Sequence, residues 1–154
     1  MAKVLKVYDY KEPILRTKCR TIEYMEPWVF DLANDMWMTM LTHKAVGLAA
    51  NQVGYDYCMI TINTNDFQGP MINPTVTDKM EEIFHFPEGC LSIPGYGADI
   101  GKRSRAIQVK FNDLEGKPQT LWLKDMTAVV VQHEMDHLEG VMFIDHLDRR
   151  LLGQ

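Results

Sequence analysis

No stretch of this sequence approaches the roughly 18 consecutive apolar residues that a membrane-crossing helix needs, so no transmembrane segment is expected. The N-terminus, MAKVLKVYDYKEP, lacks the apolar core of a secretory signal, and a cytoplasmic protein is expected. An excess of positive charge is also missing. With 16 Lys and Arg against 21 Asp and Glu the chain carries a net charge of -5, which offers no basic patch for nucleic acid. Cysteine is scarce and odd in number, at Cys19, Cys58 and Cys90, which in a reducing compartment excludes a disulfide framework. Cys19 and Cys58 read as small buried hydrophobes. There is no internal repeat, low-complexity tract or linker, so residues 1–154 are expected to form one catalytic domain.

Pro27 suits the first position of a helix, where its fixed φ is already helical. Val29, Leu32, Met36 and Met40 recur behind it at helical spacing, and the pattern fades near His43. AVGLAANQVG follows as a glycine-bearing loop of small residues. YCMITIN (57–63) and GPMINPTV (69–76) read as strands, with prolines marking edges or irregular ends. IQVKFNDLEGKPQTLWLK alternates on both sides of Asp113-Leu114-Glu115-Gly116, as a β-hairpin does. A second helix is expected from an N-cap at Asp125 to Leu138, with Gly140 as its stop, although Val129, Val130 and Val131 argue somewhat against it. Helix, strands, then helix is the order of an α+β fold: antiparallel strands around a central metal-binding helix, with an N-terminal helix.

VVQHEMDHLEGV (130–141) carries the chemistry. Residues four apart on a helix stand on one face, so His133 and His137 can bind one cation. Glu134 is turned by roughly 100° from His133. It can reach a water on that cation without being a ligand, as a general base does. H-E-x-x-H is the spelling of metal-dependent hydrolases. In proteases of that class the third ligand lies downstream, as a distant Glu or in the longer H-E-x-x-H-x-x-G-x-x-H pattern. Here position 143 is Phe143, His146 breaks the spacing and reads as a surface residue, and the chain stops at Gln154. The third ligand must come from upstream. FPEGCLSIPG (86–95) holds Cys90 beside a glycine, which lets backbone approach closely. A thiolate and two imidazoles make a tetrahedral site whose fourth position is open, the mark of a catalytic rather than structural centre. Such a ligand set suits zinc or ferrous iron.

VGLAANQ (46–52), EGCLS (88–92) and QHEMDHL (132–138) together resemble, in order, the three motifs of peptide deformylases. The similarity continues through EPILRTKCRTI, the DLEGK turn and GVMFIDHL, and so covers nearly the whole chain. The resemblance implies removal of the formyl group from N-formyl-methionyl nascent peptides with release of formate. It implies the Gln52 side-chain amide and the Leu91 backbone N–H as donors to the oxyanion. It implies ferrous iron as the native ion, with Zn2+, Ni2+ or Co2+ possible in preparations. Val129 and Val130 share the face of His133, with Met126 a turn further back; together with Val46 and Phe86 they are candidates for a methionine slot, against plain core packing. Gly47 and Gly89 would flank the peptide along a strand edge, and Glu88 is a candidate to orient a ligand. The competing reading is a zincin-type metallopeptidase.

Three positions depart from the family pattern. Ala45 stands where the first motif commonly has glycine. Lys102, with Arg103 next to it, stands where an arginine is often found about ten residues beyond EGCLS. Finally, the chain stops at DRRLLGQ, where bacterial members usually continue into a C-terminal helix. That ending resembles phage-encoded deformylases, so the compartment expected is the cytoplasm of a bacterium or of a phage host. It also puts ribosome docking in doubt. A monomer is expected.

Overall fold

The computed structural model describes residues 1–147, and the closing DRRLLGQ, on which the ribosome expectation turned, lies outside the described residues. After a 3-10 turn at Pro13–Arg16, helix α1 spans Pro27–Thr42 with the proline in its first turn. Val29, Leu32, Ala33, Met36 and Met40 are its buried stripe. The chain leaves the helix through Lys44, whose φ is +56°.

The segment expected as a loop is more ordered than its residues suggest. Gly47–Ala49 forms strand β1, and Ala50–Val53 a 3-10 turn. Three residues are too few to display an alternating pattern. The strand exists because Gly47, Leu48 and Ala49 pair with Ile62, Thr61 and Ile60 of strand β2, Met59–Asn63. Strand β3, Gln68–Lys79, pairs next, and its register slips between Ile72 and Thr75, where Pro74 cannot donate to the ladder. Asn73 at that bulge has φ +52°, and its side chain bonds both the N–H and the C=O of Ile22.

Strands β4 (Glu88–Cys90) and β5 (Ile93–Ala98) make a separate two-stranded ribbon. Strands β6 (Ala106–Asn112) and β7 (Pro118–Lys124) are the expected hairpin. Its turn is closed by Asp113 Oδ1, which accepts the Glu115 and Lys117 N–H groups at 2.9 and 3.0 Å. The large sheet runs β1-β2-β3-β6-β7 and is antiparallel throughout.

Helix α2 spans Asp125–Leu138. Asp125 does not cap it: Lys124 holds the N-cap position, and the Asp125 carboxylate pairs with Arg105 Nε at 3.1 Å. Val129, Val130 and Val131 are all buried. Their helix penalty is a fraction of a kcal/mol each, against roughly 1.5–3 kcal/mol for burying such a side chain, so packing decides. The helix packs on β1, β2 and β7. Ala128, Val130 and Val131 join Ile60, Ile62, Met71, Ile107, Val109 and Phe111 in one core, while α1 closes a second with Leu48, Met59 and Ile72. A smaller cluster of Leu15, Ile93, Ile100, Met142 and Phe143 fastens β5 to the 3-10 turn Phe143–His146 that follows α2. The fold is α+β, with antiparallel strands about the motif helix and α1 ahead of it, as expected. No helix among the described residues is long and apolar enough to cross a membrane.

Candidate active site

Side chains two apart on a strand point to the same face. Glu88 and Cys90 of β4 therefore both meet α2, while Gly89 between them is exposed. The ligand atoms of Cys90, His133 and His137 all lie within 4.8 Å of one another. Cys90 Sγ is 3.4 Å from His137 Nε2, and both imidazoles are buried.

His133 Nδ1 donates to Glu88 Oε1 at 2.9 Å, which fixes the tautomer and leaves Nε2 free to ligate. Glu88 is in turn gripped by Arg103, from Nε to Oε2 at 3.0 Å and from Nη2 to Oε1 at 2.9 Å. Burial pushes the Glu88 carboxyl upward, but the hydrogen bonds from His133 and Arg103 outweigh it and hold its pKa below the ordinary value. Burial likewise lowers the His133 pKa, yet Glu134, Cys90 and Glu88 around it win and raise it to about 10. That corner of the site favours positive charge. Burial drives the His137 pKa well below its ordinary value, so this imidazole is neutral and has a lone pair to give.

Glu134 is buried, and burial pushes its carboxyl up to about 7. Among the described residues its Oε1 has no hydrogen-bond partner, nor has His137 Nδ1. A Cβ on Gly47 would sit 2.6 Å from Glu134 Oε2 and 2.8 Å from Val130 Cγ1, so β1 passes over the carboxylate only because residue 47 has no side chain. Gln52 is buried: its Oε1 accepts the Ala49 N–H at 2.9 Å, and its Nε2 lies 3.4 Å from Cys90 Sγ and 3.2 Å from Ser92 Oγ. A thiolate, two imidazoles, a corner that favours positive charge and an unpartnered carboxylate oxygen together fit a divalent cation.

A cleft of about 520 Å³ opens onto these groups. Of the residues expected to meet the substrate, Val46, Gly47, Phe86, Gly89, Val129 and Val130 line it; so do Leu91, expected as an oxyanion donor, and Pro94 and Tyr96, which sequence reasoning did not single out. Met126 is not among the lining residues and is corrected: it is half-buried against the sheet core. Seven residues before His133, it stands about 10 Å along the helix axis.

Two departures from the family pattern have a local structural reading. The left-handed conformation before the first motif falls on Lys44, so Ala45 does not need to be glycine. Arg103, not Lys102, makes the interior pairing, and the pairing is intact. His146 is only partly exposed, and its Nε2 lies 2.9 Å from Asp136 Oδ2, so the surface reading is also corrected.

A family model described as polypeptide deformylase matches residues 4–151. The chain belongs to the polypeptide deformylase family. The peptide deformylase of Borreliella burgdorferi is 39% identical over 149 residues, covering 96% of this chain and 90% of that one. The crystal structure of a peptide deformylase from Synechococcus elongatus in complex with actinonin superposes with a TM-score of 0.90 at 33% identity, covering 96% of this chain and 80% of that chain. A class I type b peptide deformylase from Acinetobacter baumannii, solved with Met-Ala-Ser bound, gives a TM-score of 0.89 at 29% identity, over 96% of this chain and 100% of that chain. Membership in the deformylase family brings the activity, metal-dependent hydrolytic removal of the N-formyl group from peptides. A zincin reading is not favoured, because the three ligands gathered among the described residues include an upstream cysteine and no downstream ligand.

Proposed function

We propose that the chain deformylates N-formyl-methionyl nascent peptides as a single catalytic domain, with Cys90, His133 and His137 holding ferrous iron. The observation that carries this is the triangle of donors with the unpartnered Glu134 oxygen beside it, at the floor of the cleft. When bound, a divalent cation supplies the Lewis acidity that makes water nucleophilic near neutral pH. A thiolate beside ferrous iron would also make the protein sensitive to oxygen, with Cys90 the residue at risk.

The remaining work falls to the chain's own groups. Glu134, with a carboxyl near 7, can take a proton from water and return it to the departing amine at the same pH. Gln52 Nε2 and the Leu91 backbone N–H are the proposed donors to the formyl oxygen as it gains charge. Gln52 is preorganised for this by its bond from the Ala49 N–H, and losing one such donor typically costs about 3 kcal/mol of transition-state stabilisation. Val46, Phe86, Val129 and Val130 supply apolar surface for the methionine side chain. A substrate made at translation initiation puts the work in the cytoplasm of a bacterium or of a phage host.

Formate release from formyl-Met-Ala-Ser by anaerobically prepared, iron-loaded protein is the deciding measurement. Release is expected; bound metal without release would overturn the proposal. Glu134→Gln should lower turnover by about 10²–10⁴-fold while keeping its metal. Loss of metal in that variant would make Glu134 a ligand instead of a base.

A further inference from the structure

We infer that His146 is a positioning residue for the cation site, reaching the ligand His133 through Asp136, Arg103 and Glu88. The inference rests on the reading that Cys90, His133 and His137 hold the cation. His146 belongs to the 3-10 turn behind α2, and its Nε2 lies 2.9 Å from Asp136 Oδ2. A carboxylate oxygen only accepts, so Nε2 carries the proton. The same Oδ2 accepts Arg103 Nη1 at 2.6 Å. Arg103 turns its other two nitrogens, Nε and Nη2, to Glu88, and one of the two oxygens it grips, Oε1, is the oxygen that orients His133. Every step passes through a shared atom or one rigid guanidinium, so a shift at Asp136 has no slack in which to disappear.

Burial grades along this chain. The side chains of Arg103 and Glu88 are 6% and 3% exposed, those of Asp136 and His146 27% and 30%. Asp136 and His146 are therefore the outer, partly exposed end of the network, and His146 holds one side of the Asp136 carboxylate. Without it, Asp136 Oδ2 loses one of its two partners, and the carboxylate is free to turn away from the Arg103 bond that holds the guanidinium in place.

The turn that carries His146 is itself fixed. Asp145 accepts two bonds from Arg16, at 2.6 and 3.1 Å, and one from the Met142 N–H at 2.9 Å. Phe143, buried in the same turn, stacks on the His133 ring with centroids 5.8 Å apart and planes 30° from parallel. One short segment thus touches the ligand directly by packing and indirectly by hydrogen bonds.

The test compares His146→Ala, His146→Asn and His146→Gln with the unmodified protein. Affinity for Co2+ is measured by competition with a chromogenic chelator, beside the Co2+ absorption spectrum and the melting temperature. Glutamine can bring an amide N–H to the place of Nε2, whereas asparagine falls short. Groups that orient metal ligands typically change affinity by 10–100-fold, and one further removed belongs at the low end. Alanine and asparagine should therefore weaken Co2+ binding about tenfold and alter the spectrum, and glutamine should restore most of both. In an Asp136→Ala background, which removes the shared acceptor, His146→Ala should add nothing. Full Co2+ affinity and an unchanged spectrum in the alanine and asparagine variants, with only the melting temperature lowered, would overturn the inference. Failure of the unmodified protein to bind Co2+ would instead overturn the site reading, and this inference with it.

Discussion

Glu134 and Gly47 belong to different elements and touch across the floor of the cleft, and each explains the other. The carboxylate is buried with one oxygen unpartnered, a costly arrangement unless that oxygen has work to do. Its place is set by the strand passing above it, where a Cβ on residue 47 would stand 2.6 Å from Oε2 and 2.9 Å from Cγ. Oε2 is the tip of its side chain, but Cγ and, at 2.8 Å, Val130 Cγ1 crowd the same point, so moving the tip alone does not relieve the contact. Gly47→Ala should therefore push the Glu134 side chain out of line. A displacement of about 1 Å at a catalytic group can cost about 100-fold in rate, so kcat should fall by that order with metal content unchanged. Wild-type turnover in this variant would mean that the carboxylate does not need this exact position.

At the scale of elements, the end of α2 is governed by one residue. Gly140 has φ +75°, and a Cβ there would meet the Arg16 carbonyl oxygen at 2.7 Å. The closing turn passes against the 3-10 turn Pro13–Arg16, and Arg16 Nη1 returns a bond to the Gly140 oxygen at 3.1 Å. A left-handed L-residue costs roughly 1–2 kcal/mol before any clash, so Gly140→Ala should destabilise by about 2 kcal/mol or more. Urea unfolding measures this, and a loss well under that figure would show that the two turns part easily. This glycine was legible in the sequence, as were α1, the β6–β7 hairpin and both histidines of α2, because each shows its pattern within a single element. Strands β1 and β4 were not, since three-residue strands carry no period and exist through pairing alone. Of the network behind His133, Glu88 was legible as a group to orient a ligand, but its partners were hidden for a related reason. Arg103 meets Glu88 and Asp136 from 15 and 33 residues away, and no spacing rule spans an irregular loop. Met126 misled in the opposite way: it kept helical spacing with the valines, but height along the axis counted as well as face.

On the scale of the whole molecule, the cation site is a joint. Cys90 comes from the small ribbon, and His133 and His137 from the helix embedded against the large sheet. Between the two, the bridging contacts include the Glu88 grip on His133 and Arg103, the Gln52 amide beside Cys90 and Ser92, and the cluster that includes Ile93 and Phe143. A cation held by all three donors ties ribbon to helix only in the folded state, so its binding adds directly to stability. At a free concentration one hundred times its Kd, this amounts to about 2.7 kcal/mol. For a chain of 154 residues, each kcal/mol moves the melting temperature by roughly 2–4 °C. Stripping the metal with a chelator should therefore lower the melting temperature by about 5–10 °C, and restoring Co2+ or Zn2+ should reverse it. Cys90→Ala should largely lose that response, because the ribbon no longer shares the cation with the helix. If that variant kept the full metal-dependent rise, the stabilisation would come from the two histidines alone, and the ribbon would be held by its apolar contacts.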